Sequence, residues 1–324
     1  MSLPSPLGSA MSLLNTLPET TEEALALEVL RFDHKVRHGI TDDDLAEVIP
    51  YCPNIKDAHL SGIHDLSDRT LVLLGQETND LRLLDISRCR FISPIGVRDV
   101  IGSATKLQVL RLHGVWSLTD SVVITLVRSL GHLTELDLSD LPLVTAHSVR
   151  EIWTFSKKLR ILNLSDCVGL TVKGFPSLQP LQDGPSRRHS RGVVVDPSLP
   201  SQVESKQNED STAEASYKDG FSPLVLPPHH KLHHLRYLTF RSLPNLTDDA
   251  IIGTLSLLRH VIELSLGGCV QITDKIVQSL CNVGRSLEIL DLSQADNITD
   301  NGIFRLARSC PKLQQVNISC KYSR

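Results

Sequence analysis

Aromatic side chains are scarce in this 324-residue chain: they make up 4% of it, with two tryptophans, and methionine also occurs only twice. Any core must therefore be built from leucine, valine and isoleucine. Neither sign of charge is in excess, the formal net charge being -4. No basic stripe marks the chain for nucleic acid or for a membrane surface, and neither is expected as a partner. No hydrophobic run is long enough to span a bilayer. The opening "MSLPSPLGSAMSLLNTLPET" has no basic region, and Pro and Ser interrupt its apolar residues, so a signal peptide is not expected. The seven cysteines are odd in number and include no C-x-x-C pair. Reduced thiols in an intracellular compartment, cytoplasm or nucleus, are the expectation, and a zinc site is not. A phosphate-binding glycine loop, G-x-S-x-G and H-E-x-x-H are all missing. The chain is expected to be no enzyme and to need no cofactor.

What the sequence does contain is repetition. "LHGVWSLTDSVVITL" (112–126), "LGGCVQITDKIVQSL" (266–280) and "LSQADNITDNGIFRL" (292–306) share one pattern. The unit L-x-x-L-x-L begins at Leu27, Ile55, Leu81, Leu107, Leu133, Leu159, Leu235, Val261, Leu287 and Leu313, with Ala58 in the second apolar slot of the unit of Ile55. The steps are 28, 26, 26, 26, 26, 76, 26, 26 and 26 residues. A period between 20 and 29 with this leucine spacing predicts a leucine-rich-repeat solenoid. Within "LRLLDIS" (81–87), Leu84 and Ile86 alternate with Leu83, Asp85 and Ser87, the pattern of a strand with one buried face. After a loop, all nine complete units carry a Ser or Thr suited to capping a helix. They are Thr41, Ser67, Ser93, Thr119, Thr145, Thr171, Thr247, Thr273 and Thr299. Asp follows in six of the nine, where the positive end of the helix dipole favours it. Apolar residues at helical spacing come next. One such unit cannot bury its apolar face alone, so the units must stack, with a parallel sheet on the concave side and helices on the convex side.

Cys89, Cys167 and Cys269 fall at the ninth position of their units, where Ile63, Val115 and Leu141 stand elsewhere, so the slot is small, buried and apolar. Four Asn-x-Ser/Thr sequons, at Asn163, Asn245, Asn297 and Asn317, fall on strand or turn positions of the repeat and do not signal secretion.

The cysteine spacing and the recurring I-T-D resemble the cysteine-containing leucine-rich repeats. "LGGCVQITD" (266–274) and "LSQADNITDNGIFRLARSCPKLQQVNIS" (292–319) match them best, and the likeness covers 27–182 and 235–319. It is similar to the repeat half of F-box/leucine-rich-repeat proteins and of the antagonist-of-mitotic-exit-network type. The resemblance implies a non-enzymatic module that holds a substrate or regulator for a cullin-type ubiquitin ligase, linked through a Skp-type adaptor. A cell-cycle scaffold or inhibitor without a ligase link is the alternative. "LPET" (17–20) stands too close to the first repeat to leave room for an F-box, so this chain is expected to lack that module.

The expected organisation is a disordered tail over 1–18, a first block of repeats over 19–182, a disordered Ser/Pro-rich insertion over 183–234, and a second block over 235–324 in the same solenoid. The last unit, from Leu313, stops before any helix, and that end is expected to be exposed. In the insertion, Ser190 follows two arginines and Ser222 precedes a proline, so both are candidate phosphorylation sites. His230 and His234 would share a helix face, but Pro227 and Pro228 argue against a helix there, and no metal is expected.

Partner binding is expected on the concave sheet. Positions three, five and seven of each unit should face solvent there. The candidate contact residues are Asp57, His59, Asp85, Arg111, His113, Glu135, Asp137, Tyr237, Arg241, Glu263 and Asp291, with Trp116 on the rim. Acids outnumber bases among them, which suits a basic segment of a protein partner. Charge reversal at Asp85, Asp137 and Asp291 is expected to leave the fold intact.

Overall fold

A computed structural model describes residues 17–18, 20–32, 39–177, 222–227 and 229–319. It contains one parallel sheet of ten strands in sequence order. They are β1 (Val29–Arg31), β2 (Asp57–His59), β3 (Leu83–Asp85), β4 (Val109–Arg111), β5 (Glu135–Asp137), β6 (Ile161–Asn163), β7 (Tyr237–Thr239), β8 (Glu263–Ser265), β9 (Ile289–Asp291) and β10 (Gln315–Asn317). Helices alternate with them: α1 (Thr21–Ala26), α2 (Asp42–Val48), α3 (Asp68–Glu77), α4 (Pro94–Ser103), α5 (Asp120–Ser129), α6 (Ala146–Phe155), α7 (Asp248–Ser256), α8 (Lys275–Val283) and α9 (Asp300–Ser309). This is the expected leucine-rich-repeat solenoid. Strands sit roughly 4.8 Å apart while packed helices need about 8–10 Å, so the stack curves toward its sheet.

The register is uniform. Leu84, Leu110, Leu136 and Leu162 are direct neighbours across the sheet, and Leu162 pairs with Leu238 across the 76-residue step. The long step therefore leaves the sheet unbroken. All these leucines are buried, as are the ninth-position side chains. There the cysteines do more than fill space. Cys167 Sγ donates to Leu138 O at 3.0 Å and Cys269 Sγ to Phe240 O at 2.9 Å, each a carbonyl of the preceding unit. Burial pushes the Cys167 thiol up to about 12 and that of Cys269 to about 11, so both stay protonated and inert.

Strands β2 to β9 are followed by the same turn. The eighth residue of the unit adopts a left-handed conformation: Gly62, Arg88, Gly114, Asp140, Asp166, Ser242, Gly268 and Gln294 all have positive φ. At the fifth position a carboxylate or amide accepts from the N–H two residues on. Asp85 takes Ser87 N at 3.1 Å, Asp137 takes Ser139 N at 2.9 Å, and Asp291 takes Ser293 N at 3.0 Å. Asn163 and Asn317 do the same for Ser165 and Ser319.

The Asp after the capping residue has a role that a single unit does not reveal. Its carboxylate reaches the cap of the next unit. Asp42 accepts from Ser67 N at 2.8 Å and Ser67 Oγ at 2.7 Å, and Asp120 from Thr145 N at 2.8 Å and Thr145 Oγ1 at 2.5 Å. Asp68, Asp248 and Asp274 grip Ser93, Thr273 and Thr299 likewise. A hydroxyl has one hydrogen to give. Where a carboxylate takes it, the oxygen lone pairs turn to the helix, and Ser67, Ser93, Thr145, Thr273 and Thr299 each accept a backbone N–H there. Thr119, Thr171 and Thr247 face Pro94, Ala146 and Val172 instead of an Asp, and none of the three accepts such a bond. The expectation that every cap hydroxyl serves its helix is thus corrected for these three.

Two further expectations are corrected. Leu17, placed in the tail, is buried against the core, whereas 1–16 lie outside the described residues. The insertion, expected to run unstructured to His234, is docked from Ser222 onward. Among the described residues, the unit of Leu159 has a 3-10 turn at Val172–Gly174 where its neighbouring units have an α-helix. The gap is filled by the departing and returning chain. Pro176 pairs with Leu224, Ser177 N donates to Leu224 O at 2.9 Å, and Leu232 pairs with Leu258. Arg150 donates to Ser222 O at 3.0 Å and His230 Nε2 to Trp153 O at 2.8 Å. Gly253 on α7 lies so close that a Cβ would stand 1.8 Å from Pro176 O. Three of the scarce aromatics meet at this irregular junction. Phe175 and Phe240 meet edge-to-face at 5.4 Å, beside the buried Trp153.

Three outcomes follow from these contacts. Asp120→Ala strands two hydroxyls and the Thr145 N–H, and should cost about 2–3 kcal/mol in thermal or denaturant unfolding. Asp300→Ala, at the same place in a unit with no following cap among the described residues, should cost under ~1 kcal/mol. Lys at Asp85, Asp137 and Asp291 together should lower the melting temperature, while Asn at all three should not, because Asn163 and Asn317 already perform the same task. Leu224→Ala should destabilise by about 2 kcal/mol, the lower end for a buried leucine; an unchanged unfolding midpoint would mean that the returning segment is not docked.

Candidate functional site

The sheet face carries the side chains of positions three and five, and the strand ends carry position seven. Over β2 to β9 position three is mostly half-buried, and Leu83, Val109, Ile161 and Ile289 are matched in number by Asp57, Glu135, Tyr237 and Glu263. Tyr237 is the most open of these at 37% exposure. At five of the ten strands the position-five residue is an Asp or Asn whose oxygen closes the strand-end turn just described. That requirement explains why carboxylates recur on this face independently of any partner.

The structure brings several candidate residues together and compensates much of their charge. Arg111 Nε bonds Glu135 Oε1 at 2.6 Å, and its Nη1 stands 3.8 Å from Asp85 Oδ2. Glu135, so bonded, holds the guanidinium above its ordinary pKa. Arg241 Nη1 lies 3.6 Å from Asp291 Oδ2, to which Ser265 Oγ donates at 3.0 Å. Burial opposes ionisation of Asp291, yet the N–H and hydroxyl of Ser293 and the hydroxyl of Ser265 keep it below the usual carboxylate range. Burial first, then Arg31, lowers the pKa of His59, so its imidazole is neutral at pH 7.

His113, Ser139 and Asp137 form a chain. Ser139 Oγ donates to Asp137 Oδ1 at 2.5 Å, so His113 Nδ1, 2.9 Å from Ser139 Oγ, must be the donor of that second bond. The order is the reverse of a nucleophilic triad, since the serine proton points to the carboxylate and not to the imidazole. Three residues thus remain apart from any cation within 4 Å among the described residues: Asp57, Asp137 and Glu263.

Trp116 stands where expected, on the rim, 55% exposed. Its Nε1 donates to Asp140 Oδ2 at 3.1 Å, and Arg90 lies over its ring at 5.9 Å. Beneath it an open groove of about 920 Å3 runs along the strand ends, lined in part by Arg88, His113, Asp140 and Asp166. Arg88, Asp140 and Asp166 escaped the sequence reading, which followed positions three, five and seven; the eighth position is where the chain turns left-handed. Ser222 is exposed and its carbonyl is held by Arg150, while Ser190 lies outside the described residues. No group of three or more His, Cys, Asp or Glu suited to a metal occurs among the described residues, and no described helix is long and apolar enough to cross a membrane.

Comparison with known proteins agrees with this geometry. A family model described as Leucine Rich repeat matches residues 258–281 and 285–307. The DNA repair protein rhp7 of Schizosaccharomyces pombe is 24% identical over 300 residues, covering 86% of this chain and 47% of that protein, so the chain spans about half the length of that relative. Among solved structures, the yeast Rad7 and Elc1 complex aligns with a TM-score of 0.53 at 16% identity, over 86% of this chain and 67% of the matched one. This chain has the fold of a leucine-rich-repeat solenoid.

Proposed function

We propose that this module recognises a protein partner on its concave sheet and does so as a substrate-recognition or regulatory component of ubiquitin-ligase-dependent degradation. The observation that carries the first half is the face itself. Ten strands in register give an exposed surface on the order of 40 Å long, the scale of a protein or peptide ligand rather than of a metabolite. Asp57, His59, Asp85, Arg111, His113, Glu135, Asp137, Tyr237, Arg241, Glu263 and Asp291 form the contact set. Arg111 and Arg241 already neutralise much of its acid, so a basic partner segment would rely on Asp57, Asp137 and Glu263. Tyr237, an exposed aromatic amid these groups, is the natural anchor.

The second half draws on the likeness to F-box/leucine-rich-repeat proteins, whose repeats hold substrates beside a Skp-type adaptor and a cullin. The name of the fission-yeast relative adds a DNA-repair setting. The fold shared with Rad7, a protein crystallised with Elc1, is compatible with work inside a complex.

Proximity labelling in the native cell, with the wild type and with Tyr237→Ala/Glu263→Gln, tests both halves. The adaptor and cullin should be labelled by both forms, and the sheet partner should be lost at least tenfold from the variant. Absence of adaptor and cullin from both would remove the ligase link. Identical labelling by the two forms would move the partner off the sheet.

A further inference from the structure

We infer that the rim at the carboxyl ends of β2–β6 is a docking groove for an extended peptide segment bearing an acidic and a basic side chain about four residues apart, with an apolar side chain between them. This surface adjoins the sheet face at His113 and is otherwise built from rim residues. It rests on the proposed function only in taking the chain to be a protein-binding module.

The groove's charges are sorted along its length. At the eighth position the units run Gly62, Arg88, Gly114, Asp140, Asp166, so cations stand at one end and carboxylates at the other. Arg90 joins Arg88 on the unit of Leu81. No ion pair within 4 Å joins the two ends among the described residues, and Arg88, Arg90 and Asp166 are exposed. In contrast, Asp85, Glu135 and Asp291 on the sheet each have a cation at hand. A surface that keeps opposite charges apart is complementary to a ligand carrying the opposite order.

Gly114 forms the floor. Its φ of +67° disfavours a side chain, and a Cβ there would meet Asp140 Oδ2 at 3.5 Å, Arg88 Cγ at 3.6 Å and Trp116 Nε1 at 3.9 Å. Arg88 through its Cγ, Asp140 and Trp116 thus border Gly114, whose own backbone adds no side chain to the floor.

Trp116 supplies the apolar contact. The chain has only one other tryptophan, Trp153, which is fully buried, whereas Trp116 is open to solvent. It is nevertheless fixed at both ends, by Asp140 at its nitrogen and Arg90 over its ring. A ring already held in place loses little freedom on binding. Phe91, Leu143 and Val168, all well exposed, extend the apolar strip along the same rim.

The spacing sets the ligand's length. Three strand intervals separate the unit of Arg88 and Arg90 from that of Asp166, about 14 Å, and an extended chain rises roughly 3.3 Å per residue, so the two charges of the ligand fall about four residues apart.

The test is selection of a ten-residue peptide library displayed on phage against the full chain, followed by affinity measurement of the winners by fluorescence anisotropy. The winners should carry an acidic and a basic residue three to five positions apart around an apolar one. Trp116→Ala should weaken them at least tenfold, and Arg88→Glu/Arg90→Glu should both weaken them and shift selection toward a basic residue at the formerly acidic end. Circular dichroism should remain native, as these side chains are exposed. Tyr237→Ala should leave the winners bound. Winners without the paired charges, no winners at all, or winners indifferent to Trp116→Ala and to the charge reversal would overturn the groove. Winners lost instead on Tyr237→Ala would overturn it too, while leaving the sheet-face reading standing.

Discussion

The leucine at the centre of eight of the ten strands has no core within its own unit; it is buried by the neighbouring units. This dependence on neighbours governs the molecule. Leu84, Leu110, Leu136 and Leu162 lie in register because any other offset would expose them, and a step of 26 residues is what repeats that offset. The polar contacts between units then follow the same step. Cys167 reaches back to Leu138 O, and Asp120 reaches forward to the cap at Thr145. Burial holds the stack together, and these directed bonds fix how each unit sits on the next.

The same constraint explains how a long insertion is tolerated. The chain leaves after Ser177, on the helix side, and is again docked at Ser222, so the pairing of Leu162 with Leu238 is undisturbed. Among the described residues this unit has a 3-10 turn where its neighbours have an α-helix, and Phe175 and Leu224 are buried there, Phe175 against Trp153 and Phe240 of the adjoining units. The candidate surfaces are thereby spared. The sheet face remains continuous from β1 to β10, and the groove around Trp116 lies on units before the break.

Period and alternation made the architecture legible in the sequence, because burial between equal units imposes both. The ten strands stand where L-x-x-L-x-L placed them. Contacts that join residues of different units were harder to read. Asp120 was assigned to its own helix dipole, since nothing within one unit reveals that its carboxylate meets Thr145 and Ser148 of the next. Likewise "FSPLVLPPHHK" has the composition of a loop, and nothing within it reveals that Leu224 pairs with Pro176 beside the short turn of Val172–Gly174. The site was partly legible. Alternation identified the solvent-facing side chains but could not separate Asp137, which closes its own turn, from Glu263, which does not. The charges at Asp140 and Asp166 sit at a turn position that alternation does not reach.

The functional account depends on the sheet being one uninterrupted surface across the insertion. Hydrogen–deuterium exchange of the full chain, read by mass spectrometry at peptide resolution, tests this most directly. The account predicts that β6, β7 and residues 222–232 are protected together with β5 and β8, and that all of them open in one cooperative step as denaturant is raised. Rapid exchange in β7 and 222–232, or separate opening of the units before and after the insertion, would contradict it.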